Sequence, residues 1–213
     1  ESTKPSFAAS VVVRRCVDYT SSVPVDPPAV VILAAGGSSR MGRPKPLLKV
    51  GGRPLLCVHV ESFNGFADPI IVVVGAHADE VQKVLPKGVI VVENTAWAHT
   101  WPADSLSLAL NSAGVTGSCW VTPVDSAPAS PETLRRVLAA CAPAVPENCS
   151  GEPGHPVLLD PSLVEAVKNQ APAGGIRTLL AGATRVPVDD DVAANFNDLT
   201  TFRQWRRGPK SGD

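Results

Sequence analysis

Aromatic residues are scarce in this chain, 5% of 213 residues with a single tyrosine, so burial rests on the 44% hydrophobic content. No charge of one sign dominates. The formal net charge is −1, which implies no basic face and argues against a general nucleic-acid binder. No apolar run approaches the roughly twenty residues a bilayer span needs, so no membrane partner is expected. Metal-type cysteine spacing is missing as well. Cys16, Cys57, Cys119, Cys141 and Cys149 are scattered and odd in number, and most are expected as reduced thiols of a cytoplasmic protein. The short run Val11–Val13 precedes Arg14-Arg15, the reverse of a secretory signal, where positive charge comes first.

What is present suits one α/β domain with an ample core. Residues 1–28, with Lys4-Pro5, Ser21-Ser22, Pro24 and Pro27-Pro28, read as an N-terminal extension with a Pro-rich end. Residues 29–207 read as a single domain and 208–213 as a C-terminal tail. Apolar runs predict strands ending at Leu33, over Ile70–Val74, over Val89–Val92 and over Cys119–Val124. Helical spacing predicts helices over Pro54–Phe63, Ala78–Leu85 and Asp104–Ser112. Another opens with Ser130 as cap and Pro131 in its first turn, where the missing N–H costs nothing. Farther on, strands are expected at His155–Leu159 and Thr184–Val188, with helices at Pro161–Val167, Gly175–Leu180 and Leu199–Trp205. Strands and helices that alternate in this way predict a Rossmann-like three-layer α/β/α fold, its mostly parallel sheet covered on both faces. Ligands of such sheets sit beyond the carboxyl ends of the strands. The chemistry is therefore expected in the loops after Leu33, Val74, Val92 and Val124.

The first of these loops is the most informative. Val30 to Leu33 run into Ala34, Ala35, Gly36, Gly37, Ser38 and Ser39, followed by Arg40, Arg43 and, behind Pro44, Lys45. A strand that breaks into a glycine-rich loop leaves amide N–H groups to converge on an oxygen-rich anion. Gly36 and Gly37 are expected to let the backbone approach a phosphate closely. Arg40 offers a two-pronged grip, and Lys45 a compact charge. The Walker pattern fails because Gly42 is followed by Arg43-Pro44-Lys45. The dinucleotide fingerprint fails because Gly36 and Gly37 are adjacent. The loop reads as a triphosphate binder.

This stretch resembles the signature L-A-A-G-x-S-x-R-M-G-x-P-K of the MobA-like nucleotidyltransferases, which include molybdenum-cofactor cytidylyl- and guanylyltransferases. Every fixed position from Leu33 to Lys45 is met, and the resemblance extends over residues 29–205. It implies a fold of the nucleotide-diphospho-sugar transferase type. The nucleotide site it implies is built from Leu33, Ala34, Ala35, Gly36, Gly37, Ser38, Ser39, Arg40 and Lys45, together with Gly75, Asn94 and Ser105. Arg40, Lys45 and Asp125 become the catalytic residues. Asp125 follows an apolar strand in Pro123-Val124-Asp125-Ser126-Ala127-Pro128, one residue longer than the family's Pro-Val-Asp-x-Pro, and is implied as the Mg²⁺ ligand. A second ligand maps to Asn197 in Ala194-Asn195-Phe196-Asn197-Asp198-Leu199. The same residue also reads as an N-cap for the last helix.

The loop from Asn94 to Leu106 resembles the family's base-recognition loop at Asn94, Trp97, Ser105 and Leu106, but Thr100, Trp101 and Pro102 stand where relatives have Gly-Met. Trp97 and Trp101 also read as core anchors, Trp97 above all. Gly154-His155-Pro156-Val157-Leu158-Leu159 matches another family segment. It makes His155 either an acceptor contact or a structural histidine that fixes the turn. Arg177, in a Gly-x-Arg element, is implied near an anionic acceptor. Leu33-Ala34-Ala35-Gly36 follows the cytidylyl branch. The resemblance therefore implies CTP as donor and molybdopterin, or another phosphorylated compound, as acceptor, with a molybdoenzyme as possible partner. Two other readings stay open: an NAD(P)H-dependent oxidoreductase of the same family, and a non-catalytic accessory protein that binds and delivers a cofactor.

Overall fold

The structure, a computed structural model, describes residues 26–207. The extension expected over residues 1–28, all but its last three residues, and the tail 208–213 lie outside the described residues. Strand β1 (Ala29–Leu33) runs into the glycine loop. Two short strands, β2 (Lys49–Val50) and β3 (Arg53–Pro54), pair as a hairpin and lead into helix α1 (Leu55–Ser62). Then follow β4 (Ile70–Val74), α2 (Ala78–Gln82), β5 (Ile90–Glu93), α3 (Pro102–Ser112) and β6 (Cys119–Pro123). The second half holds α4 (Pro131–Ala139), β7 (Ala144–Glu147), β8 (Val157–Leu159), α5 (Pro161–Asn169), β9 (Thr184–Pro187) and α6 (Leu199–Arg207).

Seven of the strands form one sheet in the order β5-β4-β1-β6-β8-β7-β9. Within it β8 alone runs against its neighbours β6 and β7, so the sheet is mostly parallel, as expected. Side chains alternate along β1: Val30 and Ile32 enter one buried cluster with Leu56 and Val60 of α1 and Leu134 and Val137 of α4. Val31 enters the other, with Leu106 and Leu110 of α3 and Val164 and Val167 of α5. Both faces of the central strands β1, β4 and β6 are buried, which explains strands with no polar alternation. Strand order reverses at β1, which lies between β4 and β6 with Leu33 opposite Pro123. A crevice opens at such a reversal. Among the described residues no helix is long and apolar enough to cross a membrane.

Several elements depart from expectation for local reasons. Helix α3 starts at Pro102 rather than Asp104, because proline is well suited to the first helical position. Helix α2 stops at Gln82. Val84 and Leu85 make tighter bonds three residues back, and Pro86 disfavours helical backbone at Leu85. Residues Ile176–Leu180 form a 3₁₀ turn, and the strand expected from His155 starts at Val157. Strand β7 carries Pro146, which cannot donate to a ladder and hides the strand from a pattern search. Cys57, Cys119 and Cys149 are free thiols, and burial pushes the Cys119 thiol up to about 12. Cys141 is disulfide-bonded.

Candidate active site

Beyond the carboxyl ends of β1 and β6 lies a cavity of about 220 Å³. Its walls include Leu33, Ala34, Ala35, Gly36 and Ser38 from the glycine loop, Lys45 and Pro46 beyond it, and Pro123, Val124 and Asp125 after β6. Trp97, Thr100 and Trp101 from the loop after β5, with Pro102 and Ser105 from the start of α3, complete its walls. Loops distant in sequence meet here because their strands are neighbours.

The Lys45 ammonium donates to Asp125 Oδ2 at 2.6 Å, and both side chains are only 15% and 21% exposed. The Lys45 amide donates to Ser38 Oγ at 3.0 Å. Ser38 itself holds a left-handed backbone with φ 51°, which turns the loop back toward Lys45. Among the described residues, the amides of Gly36, Gly37, Ser38 and Ser39 have no protein acceptor. A loop with free donors beside a lysine is suited to phosphate oxygens. Its far end is pinned by Met41, buried with Leu55, Phe196 and Phe202.

The glycines divide the work differently from expectation. Gly36 faces open space, so that a phosphate can approach its backbone. A Cβ on Gly37 would stand 2.9 Å from the Trp97 indole, and one on Gly75 would meet the Ala35 carbonyl at 2.6 Å and Trp97 Cβ at 2.9 Å. These two glycines seat Trp97 and do not line the cavity. Trp97, 37% exposed, is therefore a wall and not the core anchor expected, and Trp101 is 77% exposed.

Asn94 and Ser39 are also absent from the cavity walls. Asn94 is buried, and its amide donates to Thr100 Oγ1 at 2.8 Å and Ser105 Oγ at 2.9 Å while its oxygen accepts from the Ala96 amide at 3.0 Å. It braces the loop. Arg40 sits in the 3₁₀ turn Ser39–Met41, and its side chain lies outside what the structure describes.

The segment expected to supply a second metal ligand does reach Asp125. The Phe196 amide donates to the Asp125 carbonyl at 2.6 Å, and Asn195 bridges Ser126. Asn197, exposed, follows directly. It does not cap the last helix; Asp198 does, accepting from the Thr200 and Thr201 amides at 2.8 and 2.9 Å. Among the described residues no cluster of three or more His, Cys, Asp or Glu could hold a metal. One carboxylate beside a loop of free amides nevertheless fits Mg²⁺, which is held by one or two carboxylates, substrate phosphates and water.

His59 is a residue whose role the sequence does not reveal. Its place on the apolar face of α1 signals burial, not partners. It is 1% exposed, and its Nε2 lies 3.1 Å from the Ser126 carbonyl, bracing the turn that carries Asp125. Burial, the largest influence, pushes its pKa down to about 4 despite the nearby Asp125 charge. His155 is lowered in the same way by burial, with opposing influence from Asp125 and a further lowering from Arg177. Among the described residues its Nδ1 is buried without a hydrogen-bond partner. Arg177 is exposed on the 3₁₀ turn.

These histidines predict a pH dependence. An unfolded histidine titrates near 6.5. Between that value and about 4 the unfolded chain binds a proton that folded His59 refuses. Stability should therefore fall as pH drops from 6.5 to 4, by about 3 kcal/mol from His59. Urea unfolding across that range checks it. His59→Gln should lose most of the slope, and an unchanged slope would place the titrating group elsewhere.

A glycine loop with free amides, set at the switch point of a mostly parallel sheet, defines a Rossmann-like α/β protein suited to an oxygen-rich anionic ligand. Comparison with known proteins agrees and is more specific. The chain belongs to the MobA-like NTP transferase domain family, which it matches over residues 30–188. It is similar to the Rv0371c protein of Mycobacterium tuberculosis H37Rv, with a TM-score of 0.71 at 25% identity over 86% of this chain and 100% of that one. A nucleotidyl transferase of Methanothermobacter, Mth528, superposes with a TM-score of 0.69 at 26% identity over 84% and 95% of the two chains. The bifunctional protein GlmU of Kineococcus radiotolerans is 35% identical over 125 residues, which is 56% of this chain and 26% of that protein. The chain spans about a quarter or less of the curated relatives it matches.

Proposed function

We propose that the protein transfers a nucleoside monophosphate from a triphosphate, CTP by preference, to a phosphorylated acceptor, molybdopterin, with release of pyrophosphate. The observation that carries this reading is the Lys45–Asp125 pair at 2.6 Å under a loop of free amides. A cation and an anion held together at the carboxyl edge suit a substrate that brings both phosphates and a metal. The CTP preference rests on Ala35, which follows the cytidylyl branch, and the acceptor on the family resemblance. At 17% identity and a TM-score of 0.59, a molybdopterin-guanine dinucleotide biosynthesis protein of Archaeoglobus fulgidus shares the fold alone.

An acceptor phosphate monoester is largely dianionic near pH 7 (its second pKa is about 6) and needs no strong general base. Its oxygen attacks the α-phosphorus as the bond to the β-phosphate oxygen breaks, and the electron pair leaves with pyrophosphate. The Gly36–Ser39 amides and Arg40 hold the β,γ-phosphates, and Lys45 offsets charge at the α-phosphate. Asp125 would hold Mg²⁺, with Asn197 as the second ligand the resemblance implies, and the metal would supply charge neutralisation at the phosphates. A crystal structure of the Rv0371c protein is a complex with manganese. His155, with its unpartnered Nδ1, and Arg177 would face the acceptor.

Calorimetric titration with CTP, GTP, ATP, UTP and NADPH, with and without Mg²⁺, followed by pyrophosphate release in the presence of molybdopterin, tests the reading. Mg²⁺-dependent binding led by CTP is expected. NADPH binding alone would favour the oxidoreductase, and no binding at all the accessory protein.

A further inference from the structure

The cavity that holds Lys45 and Asp125 is also lined by Trp97, Trp101 and Pro102. Trp97 is fixed, its ring edge against Gly37. Trp101 differs: its side chain stands in solvent, 77% exposed, in a chain with only four tryptophans. Its backbone is nevertheless anchored. The Trp101 amide donates to Asp104 Oδ2 at 2.7 Å, and its carbonyl accepts from the Asp104 and Ser105 amides at 3.0 and 3.2 Å, with Pro102 opening α3 behind it. A large apolar ring on a rigid mount, unused by the core, presents a surface for another flat ring.

The polar groups nearby have little left to read a base edge. Thr100 Oγ1 accepts from Asn94 and donates to the Ala96 carbonyl, and Ser105 Oγ accepts from Asn94. Among the described residues, only the Ser105 hydroxyl proton of these side chains is uncommitted. The phosphate-binding half of the cavity is polar and charged, and the other half is aromatic.

We propose that Trp101 is a stacking platform for the nucleobase of the donor, contributing affinity common to all four triphosphates. This rests on the donor reading given above. Stacking on an indole is tolerant of base identity, because every base has a π-face. Base preference must then come from elsewhere in the site, while Trp101 supplies base-independent binding.

The test is calorimetric titration of wild type, Trp101→Ala and Trp101→Phe with CTP, UTP, ATP and GTP in Mg²⁺, and with inorganic tripolyphosphate, which has no base. Trp101→Ala should weaken all four nucleotides by about tenfold, leave tripolyphosphate within twofold, and be rescued by Trp101→Phe. Equal weakening of nucleotides and tripolyphosphate would overturn the proposal in favour of a purely structural role for the loop. Unchanged nucleotide affinity would also overturn it and would assign the indole to the adjoining cavity that it borders with Gly174, Gly175 and Ile176. Wild-type protein that binds tripolyphosphate but no nucleotide better would do the same. Failure of the wild type to bind any triphosphate would remove the donor reading itself, and this inference with it.

Discussion

Asp125→Ala is expected to lower turnover about a thousandfold, as loss of a group that organises charge in a phosphoryl-transfer site does, without unfolding the protein. Asp125 is 21% exposed on a loop, and its backbone carbonyl, not its side chain, receives the Phe196 amide. Removing the carboxylate therefore leaves the tie to residues 195–197 in place. Asp125→Asn separates the two jobs of the side chain. In the free protein the carboxylate neutralises Lys45 at 2.6 Å, so a metal-free triphosphate must both take Lys45 away and meet an anion. The asparagine variant should be as inactive as the alanine variant, yet bind metal-free CTP about tenfold more tightly, because a like charge has gone and Lys45 is released. Pyrophosphate release and calorimetry without metal measure the two effects. A near-wild-type rate in either variant would end the assignment, and weaker metal-free binding in Asp125→Asn would show that Lys45 needs its partner to be held in place.

The fold as far as α4 is legible in the sequence because the central strands β1, β4 and β6 are buried on both faces and α4 has a local start signal. Ile70–Val74 is a continuous apolar run, and Ser130 with Pro131 opens α4, the Ser130 Oγ accepting from the Thr133 amide at 3.2 Å. The part beyond α4 is less so, for the opposite reason. Strand β7 exists through tertiary pairing despite Pro146, and β8 runs antiparallel. At the site, the motif from Leu33 to Lys45 reads as a phosphate loop. What it does not announce is which glycine faces open space and which faces protein. Gly37 and Gly75 are set by Trp97, a contact across loops from different strands. Asn94 looks like a ligand contact in sequence, but burial turns it inward to Thr100 and Ser105. His59 braces the Asp125 turn from a helix about 65 residues upstream in the chain, a distance no local pattern crosses.

Gly154→Ala should destabilise the protein by at least about 3 kcal/mol, the upper end of overpacking costs, and disturb the site as well. A Cβ at that position would collide with the Val192 carbonyl and stand 2.7 Å from the Ala193 nitrogen. Both are backbone, and Val192 is buried, so no side-chain rotation relieves the clash. The approach is close because two bonds pull it in: Gly154 donates to the Pro146 carbonyl at 2.9 Å, and His155 donates to Val192 at 3.0 Å. Pushing Val192 away also moves the segment that follows, where Ala127 and Phe196 join the Asp125 turn to residues 194–196. The Gly-His-Pro segment, read in sequence for its histidine, thus depends first on its glycine. The contrast is Gly36→Ala, where a Cβ meets nothing within 4 Å. That variant should unfold within about 0.5 kcal/mol of wild type yet bind triphosphate more weakly, because the added methyl occupies the phosphate's path. Urea midpoints and CTP titrations of both variants separate the two kinds of glycine. If Gly154→Ala unfolded like wild type, the join between residues 154 and 192 would be far softer than its geometry implies, and if Gly36→Ala bound CTP normally, the phosphate would not lie over Gly36.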